Sequence, residues 1–333
     1  MNRQMNVSVD PNYRIERLRV GLNAPIHLQI VDGVFYYGDS GETDGNGKLI
    51  RLTERGEEVI ADGFTPPLTG ITYHDGFFYV AHKGTITRVT KDGKKTDIVV
   101  GLPSFGDYSN SRVTVGPDQK LYFGQGTATN SGVVGKDNLD WLLEHSYFCD
   151  YPARDITLTG QNFETESFIE IKDEPVLTGA FSPYGRKSER GERVRHILAG
   201  SGSVLRVNLD GSNLELVAWG LRHPFCVQFD QDGNLYMTNL GMQNRGSRPI
   251  VNAPDELIHV QQSNWYGWPD YAGGYPVTNP YFKPDNAEQP QFLIEDHPMI
   301  PPHPLINFLP YSGVCGFVIN DDPLFGDEGD FYF

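Results

Sequence analysis

Cysteine is scarce in this chain, and long apolar runs are missing. The three cysteines among 333 residues, Cys149, Cys226 and Cys315, are too few and too scattered for a disulfide framework or a zinc site. We expect them to be buried small residues. No segment reaches the roughly 18 apolar residues that a membrane-spanning helix needs. Residues 1–10 have no apolar core after a basic end, so no secretory signal is predicted.

Positive charge is also scarce. The 27 Lys and Arg residues face 43 Asp and Glu residues, which leaves a net charge of −16. A nucleic-acid partner is therefore not expected, because phosphate binding needs a basic face. A sustained apolar period of 3.6 residues is lacking as well, whereas glycine, proline and aromatic residues are plentiful. This composition favours many short strands joined by tight turns, with little helix.

A short phrase that ends in tyrosine repeats along the chain. Asp32-Gly33-Val34-Phe35-Tyr36 returns around Tyr79, Tyr122, Tyr236 and Tyr332, and the first three tyrosines are each 43 residues from the next. That period is typical of four-stranded propeller blades and too long for leucine-rich or ankyrin units. The sequence thus predicts an all-β fold, a six-bladed β-propeller of four-stranded antiparallel blades.

The repeats divide the chain unevenly. Strands are predicted at 26–31, 34–37, 48–52 and 58–61 in repeat one, and repeat two copies this pattern over 65–102. Repeat three opens at Asn110 and resumes at 202–211, a segment that is similar to 84–93 of repeat two. About 127–199 is therefore an insertion, and a proline-rich excursion covers about 276–310. We expect a single domain over 1–333. Since the sequence stops at Phe333 in mid-strand, with about four and a half blades visible, we expect it to be incomplete at the C-terminus.

The first strands of the repeats share a register. His27, Gly70, Arg112, Cys226 and Gly316 align, followed two residues later on the same side by Gln29, Thr72, Thr114, Gln228 and Val318. Because side chains alternate along a strand, one face of each first strand is apolar and the other small or polar. First strands line the channel of a propeller. Arg112, His27 and Gln228 therefore either reach an axial pocket or only bridge neighbouring blades.

Three ordered segments, 107–122, 207–225 and 255–269, resemble the glucose/sorbosone dehydrogenase family of six-bladed propellers, which includes soluble quinoprotein sugar dehydrogenases. The resemblance covers about 20–333. It implies pyrroloquinoline quinone (PQQ) held on calcium at the channel mouth, and oxidation of a sugar hydroxyl by hydride transfer to the quinone. It also implies a periplasmic or secreted location and a small sugar or aldehyde substrate. It leaves the electron acceptor unknown.

The resemblance assigns roles to individual residues. Arg222 matches an arginine beside the quinone, with His223 in place of an asparagine, and Gly241-Met242 falls where the family offers carbonyls to the cofactor calcium. Glu256, Tyr266 and Ala272 resemble a second, structural calcium site. Arg112, Arg245 and Arg248 are further candidates for cofactor binding. The alternatives are a blade-to-blade ion pair for Arg222, a solvated glutamate and a packed tyrosine at 256 and 266, and a solvated loop for Arg245 and Arg248.

Tyr108 stands where the family has its catalytic histidine. A tyrosine is a poor general base at neutral pH unless a neighbouring cation assists it. Asp107 is the remaining candidate, and His223 is another by position.

Three functions remain. A PQQ-dependent sugar or aldehyde dehydrogenase comes first, followed by a calcium-dependent lactonase-like hydrolase and then a carbohydrate-binding propeller without turnover. The hydrolase would need a metal shell of carboxylate and amide side chains at the channel axis.

Overall fold

The structure is a computed structural model that describes residues 14–165, 167 and 175–333. Residues 1–10, for which no secretory signal is predicted, lie outside the described residues, as do 166 and 168–174 of the predicted insertion.

The first two repeats each form a four-stranded antiparallel sheet whose strands follow chain order. Blade 1 consists of β1 (Pro25–Val31), β2 (Val34–Asp39), β3 (Gly47–Thr53) and β4 (Gly56–Phe64). Blade 2 consists of β5 (Leu68–His74), β6 (Phe77–His82), β7 (Thr85–Thr90) and β8 (Lys95–Val99). At the first hairpin, Asp32 and Gly33 both have positive φ, 51° and 76°, as a two-residue hairpin turn of the Asp-Gly type requires.

Blade 3 is assembled from two distant parts of the chain. Strands β9 (Thr114–Val115) and β10 (Lys120–Gln125) pair with β15 (Ser203–Asn208) and β16 (Glu215–Trp219). The described part of the segment between β10 and β15 carries a 3-10 turn, one short helix and two small two-stranded sheets. Their bounds are Lys136–Asn138, α1 (Leu139–Glu144), β11 (Ile156–Thr157) with β14 (Arg193–Val194), and β12 (Asn162–Thr165) with β13 (Val176–Gly179).

Blade 4 also takes its last strand from a distance. Its strands are β17 (His223–Phe229), β18 (Leu235–Leu240), β19 (Glu256–Val260) and β22 (Ile306–Asn307). Between β19 and β22 lie the hairpin of β20 (Tyr271–Ala272) and β21 (Tyr275–Pro276) and a 3-10 turn at Pro280–Phe282. The fifth repeat forms a two-stranded sheet of β23 (Val318–Ile319) and β24 (Phe331–Tyr332).

The predicted register is confirmed by the strand pairing. Each repeat tyrosine lies opposite the second residue of the aligned set in its own blade. The pairs are Gln29 with Tyr36, Thr72 with Tyr79, Thr114 with Tyr122, Gln228 with Tyr236 and Val318 with Tyr332. The fold is a β-propeller of antiparallel sheets, as the 43-residue period predicts.

The apolar core lies between successive sheets. Leu49 of blade 1 and Ile71 of blade 2 belong to one buried cluster, and Ile86 of blade 2 and Phe123 of blade 3 belong to the next. Because successive sheets pack face to face, their first strands face a shared axis. A cavity of about 610 Å³ there is lined by first-strand residues of all five repeats.

Helix is scarce, as predicted: the only α-helix of the described residues is α1. No helix within 14–165 or 175–333 combines the length and apolar character needed to cross a membrane. Cys149 and Cys226 are buried as expected, but the prediction is wrong for Cys315, which is exposed beside the axial cavity.

Candidate functional site

The first and second family-like segments meet where blades 3 and 4 adjoin. Tyr108 precedes β9, and Arg222 stands directly before β17. The link between them is the chain just after β10: the Tyr108 amide donates to the Thr127 carbonyl at 3.1 Å, and the Thr127 amide donates to the Arg222 carbonyl at 3.0 Å. The chain at the ends of β9, β10 and β17 therefore brings Tyr108 and Arg222 together, although they are over a hundred positions apart in the sequence.

Arg222 is a buried cation at this junction, only 2% exposed. Its guanidinium donates to the Tyr108 hydroxyl, to the Asn130 carbonyl at 3.2 Å, to Asn130 Oδ1 at 3.1 Å and to the Leu240 carbonyl at 3.4 Å. All of these acceptors are neutral, and within the described residues no carboxylate forms an ion pair with it. Burial lowers the pKa of Arg222, and the nearby Tyr108 opposes that shift. The predicted alternative, an ion pair between blades, is therefore not what holds this side chain.

Tyr108 receives a second cationic donor. Arg245 Nη2 lies 3.3 Å from the Tyr108 hydroxyl and also donates to Asp107, while Arg245 Nη1 donates to Asp137 at 2.6 Å. Burial disfavours the charge of Arg245, but Asp107 and Tyr108 outweigh it and raise the pKa of this guanidinium. We call Asp107, Tyr108, Asn130, Arg222 and Arg245 the Tyr108 cluster. A solvated loop is thus the wrong interpretation for Arg245.

His223 packs on the other side of Tyr108, with the ring centroids 4.4 Å apart and the planes tilted by 30°. Burial, followed by the charge of Arg222, lowers the pKa of His223 to about 3. Its Nδ1 is buried and has no hydrogen-bond partner within the described residues. An imidazole with so low a pKa holds a proton weakly near neutral pH, so this geometry does not favour His223 as the base.

Two other predicted cofactor ligands lie outside the cluster. Arg112 lines the axial cavity, where it donates to His27 of blade 1 and to Cys226 Sγ of blade 4 at 3.2 Å. Arg112 thus faces the axial cavity and also bridges blades, so the two alternatives do not exclude each other; its role in cofactor binding stays a prediction. Its side chain also lies across Gly70, where an added β-carbon would meet Arg112 Cβ at 2.6 Å.

Arg248 is fully buried in an ion pair with Asp270 at 3.1 Å. Its guanidinium also donates to the carbonyls of Ser131, Pro269 and Gln291 at 2.8–3.2 Å. The solvated-loop interpretation is wrong for this residue too. Both Nη atoms of Arg248 bond within the protein, whereas its buried Nε has no hydrogen-bond partner among the described residues. Arg248 therefore belongs to the buried framework of the loop and not to the Tyr108 cluster.

Gly241 and Met242 follow the end of β18. The Gly241 amide donates to Asp255 Oδ1 at 2.8 Å, and an added β-carbon would stand 2.2 Å from the Pro254 carbonyl oxygen, so glycine is required. The Met242 side chain is buried in an apolar cluster. Only backbone oxygens of this pair can serve a metal, which is the kind of ligand that the resemblance implies for it.

Glu256 is a buried carboxylate, 6% exposed, and not the solvated glutamate of the alternative interpretation. It accepts hydrogen bonds from Asn239 Nδ2 and from the Gly273 amide, each at 2.7 Å. These hydrogen bonds lower the pKa of Glu256, but burial outweighs them and raises it to about 7. No cation pairs with Glu256 within the described residues. Beside it is a cavity of about 10 Å³, lined in part by Tyr266 and Ala272, which is room for about one water-sized particle. The three residues of the predicted structural calcium site thus do meet.

Asn130 and Asp150 are the residues that sequence reasoning missed. Asn130 bonds Arg222 and also donates to the carbonyls of Gln243 and Arg245 at 2.7 and 3.1 Å, so it ties the 242–249 loop to the cluster. Asp150 is buried beneath the same chain segment. The only signal in the sequence is the polar run 127–131 directly after a buried strand.

Comparisons with known proteins test the family resemblance. No protein-family model matches the chain. Quinoprotein glucose dehydrogenase B from Acinetobacter calcoaceticus is 25% identical over 202 residues, which cover 56% of this chain and 32% of that protein. The chain thus spans about a third of the length of this curated relative. The resemblance predicted from the three segments is confirmed by this match.

Two solved structures align with most of the chain. The holo form of the pyranose dehydrogenase PQQ domain from Coprinopsis cinerea is 11% identical, with a TM-score of 0.50, and the match covers 91% of this chain and 70% of that one. The PQQ-bound aldose sugar dehydrogenase from Streptomyces coelicolor is 18% identical, with a TM-score of 0.47, over 77% of this chain and 68% of that one. At 11% identity, the likeness to the pyranose dehydrogenase domain extends to the fold alone.

Proposed function

We propose that this protein is a PQQ-dependent dehydrogenase that oxidises a sugar or a related alcohol or aldehyde at the Tyr108 cluster. One observation carries the proposal: Arg222 is a buried cation without a carboxylate partner, bonded to Tyr108, at the position that the family resemblance assigns to the quinone site. When bound, PQQ would supply the acceptor for the two electrons and the hydride that leave the substrate.

The residues present fit an anionic cofactor. A buried guanidinium whose acceptors are all neutral is costly unless an anion compensates its charge. Arg222 would supply fixed positive charge beside the cofactor, with Arg245 behind Tyr108. For calcium, the carbonyls of Gly241 and Met242 are the candidate ligands near the cofactor, and Glu256 with the cavity beside it is the candidate for the second ion. An unpaired buried carboxylate there is compensated by a cation in the same way.

Tyr108 is the group that would take the substrate proton. Arg222 and Arg245 both donate to its oxygen, so negative charge that develops on that oxygen is stabilised by two guanidinium groups. A tyrosine that acts as a base needs at least one neighbouring cation, and Tyr108 has two. Asp107 orients Arg245, because it accepts from Arg245 and from Asn138 Nδ2 at 3.1 Å. With both oxygens engaged, Asp107 is a positioning residue in this scheme.

The lactonase-like alternative fits less well. It needs carboxylate and amide ligands around a metal at the axis, yet the residues that line the axial cavity in the described chain include no Asp or Glu. A carbohydrate-binding propeller without turnover has the same fold and is separated from the dehydrogenase by experiment alone.

The test is to titrate the protein with PQQ in the presence of calcium, and then to follow dye reduction with aldoses. The proposal expects saturable PQQ binding and turnover in the wild type. Tyr108→Phe keeps the ring between His223 and Arg222 but lacks the hydroxyl, so it should still bind PQQ while kcat falls about 10²-fold or more.

Tyr147→Phe is the matched control, because Tyr147 is an exposed tyrosine outside the cluster, and it should leave both properties unchanged. A wild type that does not bind PQQ would refute the dehydrogenase. PQQ binding without any turnover would favour the non-catalytic alternative, and full activity of Tyr108→Phe would remove Tyr108 as the base.

A further inference from the structure

A second cavity of about 440 Å³ opens on blade 4, between the β20–β21 hairpin, the 3-10 turn Pro280–Phe282 and the chain after β22. Its volume lies in the range of small-molecule sites. Of the residues that line it, the resemblance to sugar dehydrogenases assigns a role only to Ala272, at the structural calcium site. We call it the tyrosine pocket, after Tyr275 and Tyr281.

Two exposed aromatic rings stand at this pocket. Tyr281 is 61% exposed and Tyr275 is 52% exposed, while Phe282 and Phe308 supply apolar surface within it. The Tyr275 ring is fixed from behind by His303, with an edge-to-face contact at 5.0 Å between centroids. Gly273 and Gly274, both with positive φ, form the tight turn that presents Tyr275. A rigid aromatic ring that stays in solvent loses little conformational entropy when a flat apolar ligand face stacks on it.

Three asparagines around the rings each use one side-chain amide atom in a hydrogen bond within the protein. Asn252 Nδ2 donates to the Tyr281 carbonyl at 2.8 Å, Asn307 Nδ2 donates to the Gly273 carbonyl at 3.2 Å, and Asn279 Oδ1 accepts from the Tyr281 amide at 3.0 Å. These bonds fix the orientation of each amide. The opposite atoms, two Oδ1 acceptors and one Nδ2 donor, have no partner within the described residues. The pocket therefore offers both acceptors and a donor to a ligand that carries hydroxyl groups.

The lining is uncharged. None of the residues that line the pocket in the described chain is Lys, Arg, Asp, Glu or His, although 21% of the chain consists of the first four types. A charged ligand would lose hydration here and find no counter-ion. The pocket thus selects a neutral molecule with apolar faces and hydroxyl edges, and that combination describes a sugar ring.

We propose that the tyrosine pocket is a binding site for a neutral oligosaccharide, separate from the Tyr108 cluster. Tyr281 and Tyr275 stack on the faces of the sugar rings, and the three asparagines bond the hydroxyl groups. The proposal does not depend on the dehydrogenase activity, since it predicts binding without PQQ or turnover. Pro254 and Ala272 line both this pocket and the small cavity at Glu256, so the two sites share a wall.

The experiment measures binding of maltotriose and cellotriose to the cofactor-free protein by calorimetry and by saturation-transfer NMR. At least one trisaccharide should bind, with the transfer strongest at ring protons. Tyr281→Ala should weaken it about three- to tenfold, because one aromatic stacking contact is lost. Tyr281→Phe keeps the ring and should bind as the wild type does. Asn307→Ala should also weaken binding, since it removes a fixed acceptor.

Two variants locate the binding. Tyr147→Ala removes a tyrosine outside the pocket that is more exposed than Tyr281, and Tyr108→Phe changes the candidate reaction site, so both should bind the trisaccharide with unchanged affinity. The proposal is overturned if neither sugar binds, or if Tyr281→Ala and Tyr147→Ala have equal affinity. It is also overturned if trigalacturonate, which is charged, or a proline-rich peptide binds more tightly than the neutral sugars. Failure here leaves the PQQ titration unaffected, so the two proposals fail separately.

Discussion

Replacing Asp150 by asparagine probes the support beneath the Tyr108 cluster. Asp150 is buried, and it accepts from the Ala128 amide at 2.7 Å and from Thr129 Oγ1 at 2.5 Å. The segment that it holds is the one whose carbonyls receive the amides of Asp107 and Tyr108. No cation pairs with Asp150 within the described residues. Burial therefore dominates and raises the pKa of its carboxyl from 3.8 to about 6.

The sign of the pH effect follows from that rise. Between its unfolded and folded pKa values, the folded protein holds a proton on Asp150 that the unfolded chain has lost. The stabilisation from this group is complete below about pH 4 and disappears as the pH rises through about 6. A change from 3.8 to about 6 corresponds to about 3 kcal/mol, of which about 2 kcal/mol is lost between about pH 4.5 and about pH 8.

Urea unfolding of the wild type and of Asp150→Asn at these two pH values measures the effect. Asparagine has a similar shape and stays neutral, so the stability of the variant relative to the wild type should increase by about 2 kcal/mol from pH 4.5 to pH 8. Asp92→Asn is the control: the Thr90 hydroxyl holds the pKa of Asp92 below 3.8, so its carboxyl is ionised throughout this range. A constant difference between wild type and Asp150→Asn would refute the reasoning.

Two further predictions concern buried charge. At about pH 8, where Glu256 is ionised, calcium should raise the Tm of the wild type as measured by calorimetry. Glu256→Gln should abolish that rise. An equal rise in both proteins would argue against a cation at Glu256. Asp270→Asn leaves Arg248 buried and unpaired, so it should lower the free energy of unfolding by about 3–5 kcal/mol. The control Glu295→Gln removes an exposed ion pair with Arg190 and should change the free energy of unfolding by less than about 1 kcal/mol. Similar losses in the two variants would contradict this prediction.

The fold was predictable because its signals are local. The Asp-Gly turn fixes the end of a strand, the alternation of side chains fixes its face, and the returning tyrosine fixes the register between two adjacent strands. Gln29 opposite Tyr36 and Val318 opposite Tyr332 follow from the same rule, although they belong to the first and last repeats. These local signals do not predict a pairing between strands that are far apart in the chain, such as β10 and β15, which begins 78 residues after β10 ends. That pairing was predicted from the similarity of 202–211 to 84–93.

The site was less predictable, because its contacts do not repeat. Family-like segments indicated Arg222 and Tyr108, but nothing in their neighbourhood indicates Asn130, whose two amide atoms bond Arg222 and the 242–249 loop. Nor does the sequence distinguish Arg245 from Arg248, which are three residues apart in one loop. The first bonds the cluster and the second is buried against Asp270, a difference that depends on which way the loop turns at Gly246.

Arg245 bears on why tyrosine can stand at position 108. A histidine accepts a proton near neutral pH unaided, whereas a phenol oxygen needs positive charge beside it to carry negative charge. Arg222 alone supplies one guanidinium, which already bonds Asn130 and Leu240. The second comes from a loop 137 residues further along the chain, and its own position depends on Asp107 and Asp137. In the proposed reaction, Tyr108 and Arg245 therefore act as a pair. Loss of Tyr108 would leave the substrate proton without its proposed acceptor, and loss of Arg245 would leave Asp107 and Asp137 without their cation.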